Sequence, residues 1–240
     1  SKDDIADHTY NYTRVWGLQK LFTPSMVQDV NVNNFPVYAK PDTGHIGIEE
    51  LRNAFRFHYD GTDHDPYLHN NGHEPWRPVS IFRTTQTHLL QVRPWLPDAI
   101  GHIAYVANGM ADLGVFLPIY QGIKSFPKAY QVGDNHCSDE SAYWKFRKVM
   151  TLAMTNYNAY APLVKETYAK LEAENDQRQK EFEAKYVAIY KDCPMEAQDL
   201  LQRFSDAMLN HALEVADKLT LELFTRLTED TMKNYMFHGA

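Results

Sequence analysis

Cysteine is nearly absent from this chain: Cys137 and Cys193 are the two copies in 240 residues. Two are too few for a disulfide framework, and a reducing compartment, hence the cytoplasm, is the expected setting. Neither belongs to a Cys-x-x-Cys pair or stands at the chain start, so both read as small buried hydrophobes without chemistry. Long apolar runs are missing as well. No stretch of about 18 such residues occurs, which argues against a spanning helix. The opening Ser1-Lys2-Asp3-Asp4 has no apolar region behind it that would mark a signal peptide. Basic excess is lacking: the formal net charge of −7 leaves no basic stripe for nucleic acid. Neither nucleic acid nor a membrane is therefore an expected partner. An initiating Met is absent too, and Ser1 reads as a cut or processed end of a longer protein.

Self-contained catalytic motifs are also wanting. There is no Gly-x-Ser-x-Gly elbow, no phosphate-binding or dinucleotide glycine loop, and no His-Glu-x-x-His. Eleven histidines raise the question of a metal. His64, Asp65, His69 and His73 share one loop, and His69-x-x-x-His73 would join two ring nitrogens on a helix. Asn70-Asn71-Gly72 between them is a turn sequence, and zinc needs three or four converging ligands, so no metal is expected. Glu49 and Glu50 read as helix-surface charge rather than a catalytic carboxylate couple.

What the chain has in quantity is aromatic residues, 15 Tyr and 12 Phe, which suggests a large core or buried interfaces. Its densest strand signal is Arg77–Ile123. Val79–Phe82, Thr87–Val92, Ile103–Val106 and Val115–Leu117 read as four strands, the last closed by Pro118. Spacings this short favour an antiparallel meander, because parallel pairing needs a crossover of about a dozen residues or more. The apolar residues do not alternate cleanly with polar ones, which predicts a sheet covered on both faces. Upstream, Tyr10–Phe22 reads as a strand entering a turn at Gly17, and Gly47–Phe57 as a short amphipathic helix. The loop from Tyr59 to Pro75 is long enough to be functional. Downstream, Ser138 is the expected cap of a helix whose apolar face, Tyr143 through Val164, continues at spacings of three and four, with a kink at Pro162. Lys165–Lys191 reads as solvated helix or a helix–loop–helix tip. Pro194 opens another helix at the position where a missing N–H costs nothing, and the two long helices are expected to pair antiparallel.

Five segments in order carry a resemblance: Thr13-Arg14-Val15-Trp16; Arg77–Thr84; Arg93–Gly101; Val115–Tyr120 with Pro127–Tyr130; and Ser141-Ala142-Tyr143-Trp144. Together they resemble the dipeptidase D type of lactic-acid bacteria, in the N-terminal-nucleophile superfamily. The resemblance implies an α+β fold, the αββα sandwich of two face-to-face antiparallel sheets between helices, with a long antiparallel helix pair. Residues 1–137 would be its strand-rich part and 138–240 its helical layer. It also implies amide hydrolysis by an N-terminal cysteine thiolate, with the free α-amine as base and fixed donors for the oxyanion. No cofactor is implied.

That cysteine is not in this sequence, so the chain resembles the C-terminal half of such an enzyme and would need the N-terminal half as partner. Ser1, with no strand behind it, is a poor substitute. Arg14 matches the context of an arginine that follows a Ser/Thr-rich approach on a strand in related choloylglycine hydrolases and penicillin acylases. It is the expected catalytic-site arginine, lowering the thiol pKa or orienting substrate; pairing with a core carboxylate is the structural alternative. Arg83 is a second, substrate-binding candidate, and Asp98 reads as a turn cap. A dipeptide substrate and a homo-oligomer are the expected partners. Two other readings stay open: an amidase of the same superfamily acting on bile-salt or β-lactam amides, and a non-catalytic scaffold or oligomerisation module.

Overall fold

A computed structural model describes residues 7–32, 35–68 and 76–236. The chain divides into two compact units, Ser1–Thr84 with Met110–Asp112, and Thr85–Gly109 with Leu113–Ala240.

The first unit is helices and turns. A π-helical stretch, His8–Tyr12, runs into α1, Thr13–Phe22. The strand expected over Tyr10–Phe22 is therefore a helix. Side chains four residues apart support it: Arg14 Nε donates to the Tyr10 carbonyl at 2.6 Å, and the Lys20 ammonium lies 4.8 Å from the centre of the Trp16 ring. Gly17, read as a turn, sits mid-helix, where it leaves room for the Phe57 ring. The amphipathic helix α2, Ile48–Arg56, forms where expected. The Gly47 N–H donates to Glu50 Oε2 at 3.0 Å, which ties up its first turn. Val79–Phe82 is not a strand. The Val79 and Ser80 amides both donate to the Phe57 carbonyl at 3.1 Å, and the Ser80 carbonyl accepts from the Tyr67 hydroxyl at 2.5 Å. Its backbone groups are thus committed to a loop rather than a ladder.

The second unit holds a three-stranded antiparallel meander, β1 (Gln86–Val92), β2 (His102–Asn108) and β3 (Leu117–Tyr120), with a four-residue helical turn, α3 (Asp98–Gly101), between the first two. Asp98 is the first residue of α3 and makes no capping bond. Pro118 does not close β3 but lies within it, tolerated because β3 is an edge strand that needs no ladder donor on its outer side. The register pairs Leu89 with Tyr105 and Ile103 with Tyr120, all on one face, and this face is buried under the helices. The opposite face is not covered along its length: Leu90 is 73% exposed and Val92 62%. The expectation of cover on both faces thus holds for one.

Three helices follow: α4 (Ala142–Met154), α5 (Tyr157–Ile189) and α6 (Pro194–Asn234). The cap of α4 is Ser141 rather than Ser138. The expected continuous helix to Val164 breaks at Asn156, whose side chain accepts from the Ala159 N–H and starts α5 as an N-cap; Pro162 lies inside α5. α5 and α6 pair antiparallel, as the Tyr160 hydroxyl's 2.5 Å bond to Asp230 at one end and the stacked rings of Phe182 and Phe204, 4.2 Å apart, at the other require. The Lys165–Lys191 stretch is not a solvated tip, because Leu171, Glu172, Asn175, Gln179, Phe182 and Tyr186 are buried along it.

Candidate functional site

The strongest concentration of buried charge lies in the first unit, around the turn that leaves α2. His58 is 2% exposed and meets three carboxylates. Its Nδ1 is 3.0 Å from Asp65 Oδ1; its Nε2 is 2.9 Å from Asp60 Oδ1 and 3.4 Å from Asp112 Oδ1. Both ring nitrogens face acceptors, so the imidazole carries both protons. Burial works against that charge, but the bonds to Asp112, Asp60 and Asp65 outweigh it and push the pKa to about 11. Such a group is a fixed cation at neutral pH, not a general base.

The surrounding loop is built to hold this cation. Asp65 Oδ1 also accepts from the Tyr67 N–H at 3.0 Å, and Ser80 Oγ accepts from the Asp112 N–H at 2.8 Å. Burial, with Asp112 and Asp65 nearby, pushes the Tyr67 phenol well above its ordinary range.

Next to His58, Tyr59 is fully buried and has φ of +69°, the one positive value at a non-glycine among the described residues. A bulky residue there costs about 1–3 kcal/mol and persists only where the surroundings fix it. Here the Thr62 amide and hydroxyl both donate to the Tyr59 carbonyl, at 3.0 and 2.8 Å. Phe57 and Trp76 pack edge-on against its ring. The Tyr59 hydroxyl is 3.0 Å from both the Arg77 carbonyl and Thr13 Oγ1. A carbonyl can only accept, so Tyr59 donates to Arg77 and accepts from Thr13. Burial raises its phenol to about 12.

Thr13 precedes Arg14, the arginine expected at the site. Arg14 is half-buried on α1, not on a strand. Besides Tyr10 it bonds Asn11 Oδ1 through Nη2 at 3.0 Å. Burial, followed by repulsion from Arg77, lowers its pKa. The carboxylate pairing that was the structural alternative is not made among the described residues. Arg83 lies apart from this group, exposed in the turn closed by the Thr84 N–H to Ile81 carbonyl bond. His69 and His73 fall outside the described residues. His64 instead stacks on Trp76, 3.8 Å between ring centres. Among the described residues no group of three His, Cys, Asp or Glu side chains is arranged to hold a metal ion. Cys137 and Cys193 are exposed rather than buried.

The sequence pointed to the Tyr59–Pro75 loop and to Arg14, but not to His58 or Asp112. Asp60 and Asp65 are local to His58, and that acidic flank was the available signal. Asp112 comes from a distant segment, which no spacing reveals.

The second unit contributes a cavity of about 200 Å³ lined by Val106, Leu117 and Ile119 from the open sheet face, with Phe126, Tyr130 and Leu209 beside them. It also holds an enclosed ion pair, Arg93 with Glu183, bonded through two parallel contacts of 2.8 Å. Tyr120 and Gln179 also donate to Glu183. No helix of the described residues is long and apolar enough to cross a membrane.

Comparison with known proteins supplies the family. The model of peptidase family C69 matches residues 1–170. A protein of Salmonella dublin named "Probable dipeptidase" is 50% identical over 136 residues, which is 56% of this chain and 30% of that protein. "Probable dipeptidase A" of Streptococcus pyogenes serotype M3 is 31% identical over 155 residues, 63% of this chain and 33% of its own length. "Dipeptidase A" of Lactobacillus helveticus is 26% identical over 232 residues, 91% of this chain and 46% of its own length. The chain thus spans less than half the length of each of these relatives.

Proposed function

Because the chain belongs to peptidase family C69, we propose that it is the C-terminal part of a cysteine-dependent dipeptidase, completed by polypeptide outside this sequence. The observation that carries the reading is the family match over residues 1–170, joined to relatives named as dipeptidases of which the shared portion is 30% to 46%. The nucleophilic cysteine is assigned to the outside segment. Its thiolate adds to the peptide carbonyl, the amine of the departing residue leaves with a proton, and water then cleaves the thioester.

In this reading the fold is an αββα sandwich. Residues 1–137 contain its strands and 138–240 its helical layer, and a second sheet from the outside segment covers the open face that carries Leu90 and Val92. The exposed apolar residues on that face support this placement, since water-facing sheet faces are ordinarily polar. Arg14 supplies positive charge at the site, and Arg83, exposed on its turn, is a secondary substrate contact. The whole enzyme is taken as cytoplasmic and homo-oligomeric.

The test compares the full-length protein with the 240-residue chain, both carrying Cys137→Ser and Cys193→Ser so that the exposed thiols do not confuse the result. The full-length protein cleaves dipeptides and loses that activity on alkylation with iodoacetamide, while the isolated chain is silent. Cleavage by the isolated chain, or full-length activity that survives alkylation, overturns the proposal.

A further inference from the structure

We propose that Arg14 and Arg77 form a paired cation site for the free α-carboxylate of a peptide, so that the enzyme recognises a C-terminus directly beyond the bond it cuts. The choice of peptide as ligand rests on the dipeptidase reading; the anion site rests on the geometry.

Tyr10 is the shared floor of the pair. Its carbonyl accepts from Arg14 Nε at 2.6 Å, and the Arg77 guanidinium carbon lies 5.3 Å from the centre of its ring. Arg77 is anchored through its backbone, whose carbonyl accepts from Tyr59. Thr13, bonded to the same Tyr59 hydroxyl, anchors the start of α1 beside Arg14. The strained, fully buried Tyr59 therefore ties together the two segments that bear the arginines.

Both side chains are half-buried, and neither meets a carboxylate within ion-pair distance among the described residues. Asp7, one turn before Asn11, is engaged by the Asn11 amide. Arg14 uses Nε and Nη2 for Tyr10 and Asn11, and a guanidinium has five N–H donors, so donors remain on both side chains. Both guanidiniums lie against Tyr10, and repulsion from Arg77 contributes, after burial, to the lowered pKa of Arg14. A carboxylate placed between them reverses the sign of the interaction and matches the planar fork of each guanidinium.

The experiment uses the full-length protein and a reduced-amide dipeptide, in which CH2–NH replaces the scissile CO–NH, as the free acid and as its C-terminal carboxamide. Binding is measured by calorimetry for wild type, Arg77→Gln, Arg14→Gln and Arg77→Lys, with folding checked by circular dichroism. Wild type binds the acid at least tenfold more tightly than the carboxamide. Either Gln variant loses most of that preference, and Arg77→Lys retains part of it. Equal binding of acid and amide by wild type, a preference that survives both Gln variants, or full displacement of the acid by equimolar inorganic phosphate overturns the proposal. Turnover of an ordinary dipeptide is followed in parallel. Carboxylate selectivity without turnover removes the dipeptidase reading and leaves the site; turnover without selectivity removes the site and leaves the dipeptidase.

Discussion

At the scale of single residues, His58 is the point where sequence and structure differ most in meaning. As one histidine among eleven it carries no visible role; in the fold it is a buried cation held by Asp60, Asp65 and Asp112. Its pKa of about 11 lies above the ordinary value of 6.5, so the native state holds its proton more tightly than the unfolded chain does. The stabilisation is complete below pH 6.5, fades as pH rises toward 11, and is gone above it. Between those limits it contributes a slope of up to about 1.4 kcal/mol per pH unit. Urea denaturation of wild type at pH 7 and pH 9 is expected to show stability falling with pH, and His58→Gln to remove most of that fall. An unchanged slope in the variant excludes the buried cation. His58→Gln also leaves the buried Asp65 and Asp112 without their cation, at about 3–5 kcal/mol at neutral pH. Around Arg14, by contrast, the backbone is helical where Thr13, Val15 and Trp16 suggested a strand. Aromatic and β-branched residues raise strand propensity only weakly, and contacts such as Lys20 over Trp16 override it.

Apolar pattern made several elements legible, although it misled at Val79–Phe82, and a polar pattern left others obscure. Strands β1 and β2, helix α2 and the start of α6 at Pro194 follow from hydrophobic spacing and turn residues. The middle of α5 does not, because Glu172, Asn175, Gln179 and Glu183 look like a solvated face. They are a polar seam against the sheet: Glu172 accepts from the Phe116 N–H at 2.7 Å, and Gln179 reaches the Tyr105 hydroxyl at 3.2 Å. Glu183 clamps Arg93 with side-chain exposures of only 15% and 11%. Burial alone would lower the Arg93 pKa, yet the bonds to Glu183 raise it. Breaking so enclosed a pair strands the remaining charge, so Glu183→Gln is expected to cost about 3 kcal/mol by urea denaturation. The double variant Arg93→Met/Glu183→Leu, which removes both charges, should recover most of that loss. If the double variant is no better than the single one, the clamp acts through packing and not through charge.

For the molecule as a whole, the telling feature is a sheet with one face buried under α5 and α6 and the other exposed along β1, where Leu90 and Val92 share it with the polar Gln86 and His88. The sequence showed apolar residues in both pleat positions and so predicted cover on both sides, which the proposed reading supplies from polypeptide outside this chain. The shares of the relatives' lengths, between 30% and 46%, leave ample chain to provide it. A test follows from Leu90, which is 73% exposed here. A substitution to Asp at a water-facing site changes stability by no more than about 0.5 kcal/mol, whereas the same change beneath a second sheet desolvates a carboxylate with no partner and costs several kcal/mol, on the order of 3 or more. In the full-length protein Leu90→Asp is therefore expected to be strongly destabilising by chemical denaturation, with Asn135→Asp, at an exposed position in the loop before α4, as the mild control. Hydrogen exchange should agree, with the β1 and β2 amides slowed in full-length protein relative to the 240-residue chain. A Leu90→Asp variant as stable as wild type would mean that this face meets water in the complete protein, and the second sheet of the sandwich would have to be sought elsewhere or given up.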